Sequence, residues 1–301
     1  MPAGDTQPSE PGGRVVLVGT PIGNLGDLSP RAVDSLSSAD AIYCEDTRHT
    51  RRLLTHAGIS GVRLRSLHEH NEVQRTLEAL KAATGGSVVA VVSDAGMPGI
   101  SDPGSRLVAA AVEAGVAVSV VPGPSAVVAA LVVSGLPTDR FCFEGFLARS
   151  GAARSERLAA LAAEERTVVL FEAPGRVART LEDLASACGP LRRVAVAREL
   201  TKVHEEVWRG TLGEAAQWVE EHPVRGEVVL VLEGATAVAD EVDDRVLAAA
   251  IGEGLRAGER LRGVVDEVAA TFGVPRRRVY ELALAQQETG PDRPPKAERG
   301  G

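Results

Sequence analysis

The sequence is poor in cysteine, in aromatic residues, in positive charge and in long apolar runs, and each shortage closes off a class of function. Of its 301 residues only Cys44, Cys142 and Cys188 are cysteines. The number is odd and no two form a Cys-x-x-Cys pair, so the expectation is buried or neutral thiols rather than a disulfide framework, a metal centre or a redox pair. Aromatic residues make up 3%, too few for the stacking platforms of single-strand-binding proteins. Lysine and arginine number 33 against 41 acidic residues, a net charge of −8. Phosphate contacts need positive charge, so an RNA substrate would have to meet a local basic patch or be presented within a larger particle. No apolar run reaches the roughly 20 residues of a membrane span. The opening MPAGDTQPSEPGG lacks the basic and apolar regions of a signal peptide and reads as a disordered lead-in. The expectation is a cytoplasmic protein.

What is present is a chain that is 44% hydrophobic and long enough for one large or two ordinary domains. Apolar runs alternate with amphipathic stretches. Strands are expected at Arg14–Val18, Ala41–Cys44, Val88–Val92 and Val116–Val121, and helices at Arg31–Leu36, Thr47–His56 and around Ser105–Glu113. Ser125–Val133 follows Pro122-Gly123-Pro124 and reads as a helix buried nearly all round. Such β/α alternation predicts a largely parallel, covered sheet. Further on, strands are expected at Phe141–Phe146, Thr167–Phe171, Arg193–Ala197, Glu205–Arg209 and Glu227–Leu232, with helices at Ser155–Glu164, Val177–Ala187 and Leu212–Glu220. Three late strands with one intervening helix predict antiparallel pairing in a mixed sheet, with the domain boundary in the stretch Pro122–Pro137. Helices over Asp240–Gly254, Leu261–Phe272 and Arg276–Gln287, the second stopped by Gly273-Val274-Pro275, form a helix-turn-helix-like pattern or a plain helical cap. The divisions are a disordered 1–13, an N-terminal α/β domain 14–122, a second α/β domain 123–236, a helical domain 237–288 and a disordered tail 289–301.

Four stretches carry chemistry. Gly19-Thr20-Pro21-Ile22-Gly23-Asn24 follows the first strand, where a glycine-rich turn exposes backbone N–H groups to a ligand; its glycines match neither Gly-x-Gly-x-x-Gly nor a phosphate loop. Cys44-Glu45-Asp46-Thr47-Arg48-His49-Thr50-Arg51-Arg52 ends the second strand and shares its rim. Asp46 or Thr47 can be an N-cap, and Arg48, Arg51 and Arg52 form either a phosphate-contacting cluster or a solvated helix face. Ser66-Leu67-His68-Glu69-His70-Asn71-Glu72 lacks His-Glu-x-x-His spacing; hydrogen-bonding loop residues, or a helix cap at Asn71, fit better than a metal. Val92–Gly104, VSDAGMPGISDPG, places Asp94 at a strand end and Asp102 where a helix begins at about Pro103, with Pro98 and Gly99 as the floor of a cleft. No third or fourth carboxylate completes a two-metal site. One aspartate then holds a ligand while the other acts as base or cap.

Taken in order, Gly-Thr-Pro-Ile-Gly-Asn-Leu, Glu-Asp-Thr-Arg-His-Thr, His-Glu-His-Asn-Glu, Ser-Asp-Ala-Gly-x-Pro-x-Ile-Ser-Asp-Pro-Gly, Pro-Gly-Pro-Ser-Ala, Phe-Glu-Gly-Phe-Leu and Arg-Glu-Leu-Thr-Lys resemble the ribosomal RNA small subunit methyltransferase I family of the tetrapyrrole methylase superfamily. The resemblance runs from about Arg14 to Leu284. It implies S-adenosylmethionine-dependent 2′-O-methylation of a cytidine in small-subunit ribosomal RNA, two α/β domains with the cofactor between them, and a homodimer acting on the RNA or the small subunit. It puts Pro21, Asp94, Gly96, Met97, Ser125 and Ala126 at cofactor positions, with a wall from Phe171-Glu172-Ala173-Pro174. Position 97 is commonly threonine in the family; Met97 leaves a backbone contact there but no hydroxyl. Tetrapyrrole-acting members carry Gly-Asp-Pro where this chain has Ser93-Asp94-Ala95, which favours the RNA branch.

A ribose hydroxyl is a poor nucleophile at neutral pH, so a base should help it. Asp102 ranks first because it shares a loop with the cofactor positions; Asp46 and His70 are the alternatives. Arg48, Arg51, Arg52, Arg198 and Lys202 near the cleft, and Arg276, Arg277 and Arg278 on the last helix, are candidates for RNA phosphates. The rivals are a tetrapyrrole C-methylase on the same fold, which would need a wide apolar cleft, and a non-catalytic RNA-binding assembly factor.

Overall fold

The computed structural model describes residues 12–235, 243–272, 274 and 276–289. The lead-in expected at 1–13 and the tail expected at 289–301 lie outside the described residues except for 12, 13 and 289, as do Gly273, Pro275 and the start of the helix expected from Asp240. The chain divides into compact units at 1–233 and 234–301.

The first unit holds two sheets. The first consists of β1 (Arg14–Val18), β2 (Ala41–Cys44), β3 (Arg63–Ser66), β4 (Val88–Val91) and β5 (Ala117–Val121) in the order β3-β2-β4-β1-β5. All its pairings are parallel. Parallel strands need covering on both faces, and their side chains divide with period two. Val16, Val18, Ile42 and Cys44 face α1 (Pro30–Ser37) and α2 (Thr47–His56). Val15, Tyr43, Val89 and Val91 face α3 (Glu72–Thr84) and α4 (Ser105–Glu113). Neighbouring β1 and β4 therefore send their connections to opposite faces. That is the switch point at which a crevice opens outside the carboxyl ends of the strands.

β3 has no counterpart in the sequence reading, and α3 only the helix cap offered at Asn71. β3 is an edge strand, Arg-Leu-Arg-Ser, with one apolar residue. α3 buries Thr76, Ala79 and Ala83, side chains too small or polar to mark a stripe, while Val73 and Leu77 point outward.

The second sheet runs β6-β7-β10-β8-β9, from β6 (Phe141–Phe146), β7 (Thr167–Glu172), β8 (Arg193–Arg198), β9 (Glu206–Thr211) and β10 (Val228–Leu232). β6 and β7 are parallel and the other neighbours antiparallel, so the late strands pair as their short connections predict. α6 (Ala152–Ala163), α7 (Val177–Cys188) and α8 (Leu212–Glu221) cover one face. On the other, Val127, Ala130 and Leu131 of α5 (Ala126–Ser134) pack on Val169, Ala195 and Val229. The expectation of an all-round buried helix is corrected here. Val128 is 50% and Val132 64% exposed, because a helix of alanine and valine has no polar side to reveal which face the sheet leaves open.

The second unit packs α9 (Asp244–Arg256), α10 (Leu261–Phe272) and α11 (Arg276–Thr289) around Leu247, Ile251, Val264, Val268 and Val279. Among the described residues no helix is long and apolar enough to cross a membrane.

Candidate active site

The crevice is built from two loops fastened together. After β1 the chain passes under the linker that leaves β5: a Cβ on Gly19 would lie 2.6 Å from the Gly123 Cα, so only glycine permits the crossing. The next residue, Thr20, donates its N–H to Gly96 O at 2.9 Å, and Gly96 N–H returns a bond to Thr20 O at 3.1 Å. This bridge joins the loop after β1 to the loop after β4. Gly96 lies at φ 79°, a left-handed conformation that suits glycine.

Between these loops and the second sheet lies a cavity of about 340 Å³, within the roughly 300–1,000 Å³ of small-molecule sites. Gly96, Met97, Ile100, Ser101 and Asp102 line one side, and Ile22, Ser125, Ala126 and Val127 the base. Phe146, the segment Phe171–Pro174 and Gly226–Val229 at the start of β10 complete the lining. The fold thus brings together the expected Asp102, Gly96, Met97, Ser125, Ala126, Glu172 and Ala173. Pro21 is buried behind the Thr20–Gly96 bridge and Asp94 lies off the cavity wall. Pro98 and Gly99 are not its floor; Ile100 and Ser101 take the wall beyond them. Gly226 to Val229 and Ile22 were missed as site residues, since a glycine before a buried strand is an ordinary strand signal. The lining is largely apolar, with bare backbone at Gly96, Ala126 and Ala173 and carboxylates at Asp102 and Glu227. That fits an elongated ligand with apolar parts and a cationic centre, such as S-adenosylmethionine.

The acidic residues divide by their partners. Asp46 is the N-cap of α2, accepting Arg48 N–H at 2.7 Å, and its ion pair with Arg48 at 3.2 Å helps hold its carboxyl below the usual range. Asp94 accepts the N–H of Asp46 at 3.0 Å and so ties the rims of β2 and β4. Asp102 caps nothing: the N–H of Gly104, where α4 starts, donates to Glu72 on α3 at 3.1 Å. Burial, then the charge of Glu45, raises the Asp102 carboxyl to about 6, against an opposing Ser93 hydroxyl. Glu45 is itself raised by burial and by Asp94.

His70 is exposed, with its ring edge-on to His68 at 6.0 Å. Asn71 stands at the start of α3, but its side chain makes no cap; it turns back, accepting His68 N–H at 2.9 Å and donating to Ser66 O at 3.2 Å. Among the described residues no group of three or more His, Cys, Asp or Glu is arranged to hold a metal ion.

The basic candidates differ in how far they are engaged. Arg51 and Arg52 are exposed on α2 and have no ion pair among the described residues. Arg198 pairs with Glu206 at 3.5 Å, and Lys202 with Glu199 at 2.8 Å and Glu227 at 3.3 Å. Arg276 pairs with Asp266, Arg277 with Glu281 at 2.9 Å, and Arg278 with Asp244 at 2.7 Å.

Residues 14–216 match the family model Tetrapyrrole (Corrin/Porphyrin) Methylases. The solved methyltransferase CobJ superposes with a TM-score of 0.57 at 24% identity, covering 74% of this chain and 95% of that one. Uroporphyrin-III C-methyl transferase from Thermus thermophilus, complexed with S-adenyl homocysteine, gives 0.53 at 22% identity over 73% and 97%. At such identities the likeness speaks for the fold, and the fold is that of the tetrapyrrole methylases. Closer similarity is to proteins named ribosomal RNA small subunit methyltransferase I. The Synechocystis sp. protein is 46% identical over 92% of this chain and 100% of its own length, and that of Escherichia coli O157:H7 is 42% identical over 91% and 96%. The chain belongs to the ribosomal RNA small subunit methyltransferase I family.

Proposed function

We propose that this protein methylates the ribose 2′-hydroxyl of a cytidine in small-subunit ribosomal RNA, with S-adenosylmethionine as donor. The observation that carries the reading is a desolvated carboxylate, Asp102, on the wall of a largely apolar cleft in a chain of this family. The cofactor supplies an already activated methyl group, which needs no metal for its transfer. Gly96, Met97, Ser125, Ala126 and Ala173 hold it, and Pro21 and Asp94 brace the loops from behind. The protein's task is then to orient the hydroxyl in line and to take its proton. Asp102 does the latter: a carboxyl raised to about 6 is ionised at neutral pH yet far more basic than an ordinary aspartate. Asp46 and His70 are set aside as bases, the first because Arg48 and the α2 N-terminus occupy it, the second because it is exposed and off the cavity wall.

The acceptor is RNA, free or in the small ribosomal subunit, met in the cytoplasm by Arg51 and Arg52, which have no ion pair among the described residues. The outward valines of α5 support a homodimer, since such a stripe favours burial against a second surface.

The test is methyl transfer from labelled S-adenosylmethionine to purified small subunits and to deproteinised RNA, followed by nucleoside analysis. The expected product is 2′-O-methylcytidine. Label in a base or in added tetrapyrrole, or no transfer to either RNA substrate, would overturn the reading.

A further inference from the structure

Glu172 lines the cleft, yet its carboxylate is turned into the protein and engaged there. Its side chain is 1% exposed. Oε1 accepts the N–H of Ala173 at 2.8 Å and Nε of Arg176 at 2.6 Å, and Oε2 accepts the hydroxyl of Thr180 at 2.7 Å. Thr180 is buried and its oxygen receives an N–H from Arg154 at 3.0 Å. Arginine can only donate and an ionised carboxylate can only accept. The single Thr180 proton must therefore point at Glu172, and the bonds run one way, from Arg154 through Thr180 to Glu172. Arg154, itself 5% exposed, is anchored on Asp183 at 2.8 Å.

The two arginines also reach across to the end of β6. Arg176 donates to Leu147 O at 3.2 Å and Arg154 to Ala148 O at 2.9 Å. Leu147 and Ala148 follow Phe146, and Glu172 follows Phe171; these phenylalanines face each other at 5.6 Å on the cavity wall. The network thus fastens the two strand ends that present Phe146 and Phe171 to the cleft. Two arginines and two carboxylates balance in charge, and buried networks of this kind hold one geometry only when every member is satisfied.

We infer that Glu172, Thr180 and Arg154 are positioning residues for the cofactor: they set the wall formed by Phe146, Phe171 and Ala173, and Glu172 acts through that wall rather than by touching the ligand. The inference rests on the cofactor reading above. The groups that act on the Asp102 carboxyl are Glu45, Ser93 and Asp94, none of them in the network, so the network governs cofactor affinity and leaves the chemical step alone.

Thr180→Val keeps the side-chain shape and removes both hydrogen bonds; Thr180→Ser keeps the hydroxyl. Titration with S-adenosylhomocysteine should show Kd raised about tenfold in the valine variant, the equivalent of about 1.4 kcal/mol or one net hydrogen bond. The serine variant should return to within about twofold of wild type, and kcat at saturating cofactor should be unchanged in both. Glu172→Gln provides a second route should Thr180→Val not fold. Its NH2 group either leaves the Thr180 proton without an acceptor or, turned round, faces the Ala173 N–H and Arg176, two donors, and Kd should again rise. Wild-type Kd in the variant that folds, a fall in kcat without a change in Kd, or no recovery with serine would overturn the inference. If the wild-type protein itself does not bind S-adenosylhomocysteine, the cofactor reading fails instead.

Discussion

At the scale of single residues, the proton affinity of Asp102 is set by its surroundings. With its carboxyl raised to about 6, the basic form disappears as pH falls through that value, and methyl transfer should decline with it. Asp102→Asn should lower kcat by roughly 10²- to 10⁴-fold, the usual contribution of a positioned base. Stability moves the other way. The folded-state affinity for the proton exceeds the unfolded one, so the ionised carboxylate destabilises the fold above pH 6, and that penalty is relieved as pH falls from 6 toward the ordinary carboxylate range. Asp102→Asn should therefore melt at a higher temperature than wild type at pH 8, with the gap narrowing by pH 5. A constant gap between those pH values would show that Asp102 is not desolvated in the folded protein.

Among the elements, the loops after β1 and β4 and the linker after β5 meet where Gly19 crosses Gly123. A Cβ on Gly123 would meet only the backbone of Gly19, with no flexible side chain to yield. Gly123→Ala should destabilise the protein by about 1–3 kcal/mol, the usual cost of overpacking, and weaken cofactor binding, because the displaced linker carries Ser125 and Ala126. Urea denaturation beside a cofactor titration checks both. α5 offers a contrasting test. Val128 and Val132 contribute little to the core of the protomer, so Val128→Glu with Val132→Glu should leave the fold intact. If the homodimer forms on this face, sedimentation should find a monomer. An unchanged sedimentation coefficient would move the interface elsewhere.

For the whole molecule, a chain of net charge −8 holds RNA only through the few cations that its own carboxylates leave free. Each phosphate contact steepens the salt dependence of binding by about 0.7 to 0.9 log units per log unit of salt. Among the described residues Arg51 and Arg52 have no ion pair, whereas Arg276, Arg277 and Arg278 each face an acid on the same three helices. Replacing Arg51 and Arg52 with alanine should flatten the salt dependence of small-subunit binding more than replacing all three C-terminal arginines, with cofactor affinity unchanged. The reverse ranking would make the C-terminal helices the main RNA surface.

Local rules determined much of this protein. Period-two and near-continuous apolar runs set nine of the ten described strands, since burial on one or both faces leaves its mark in each strand's own residues. Glycine and proline marked the loops at the carboxyl rim, and the order of seven short motifs pointed to the family. β3 and α3 left no such mark, being an edge strand and a helix with small buried residues. Only the tertiary structure decided which acid is free. Asp46, Asp94 and Asp102 all look alike at strand ends or loop turns; it is Arg48, the N–H of Asp46 and the capping of α4 by Glu72 that separate them. The fate of Glu172, the exposed face of α5 and the pairing of the arginines were settled the same way. The Asp46–Asp94 and Gly104–Glu72 bonds join segments far apart in the chain, and the open face of α5 depends on where the sheet lies; even the near pairs, Glu172 with Arg176 and Arg277 with Glu281, are choices among several acids and bases within reach.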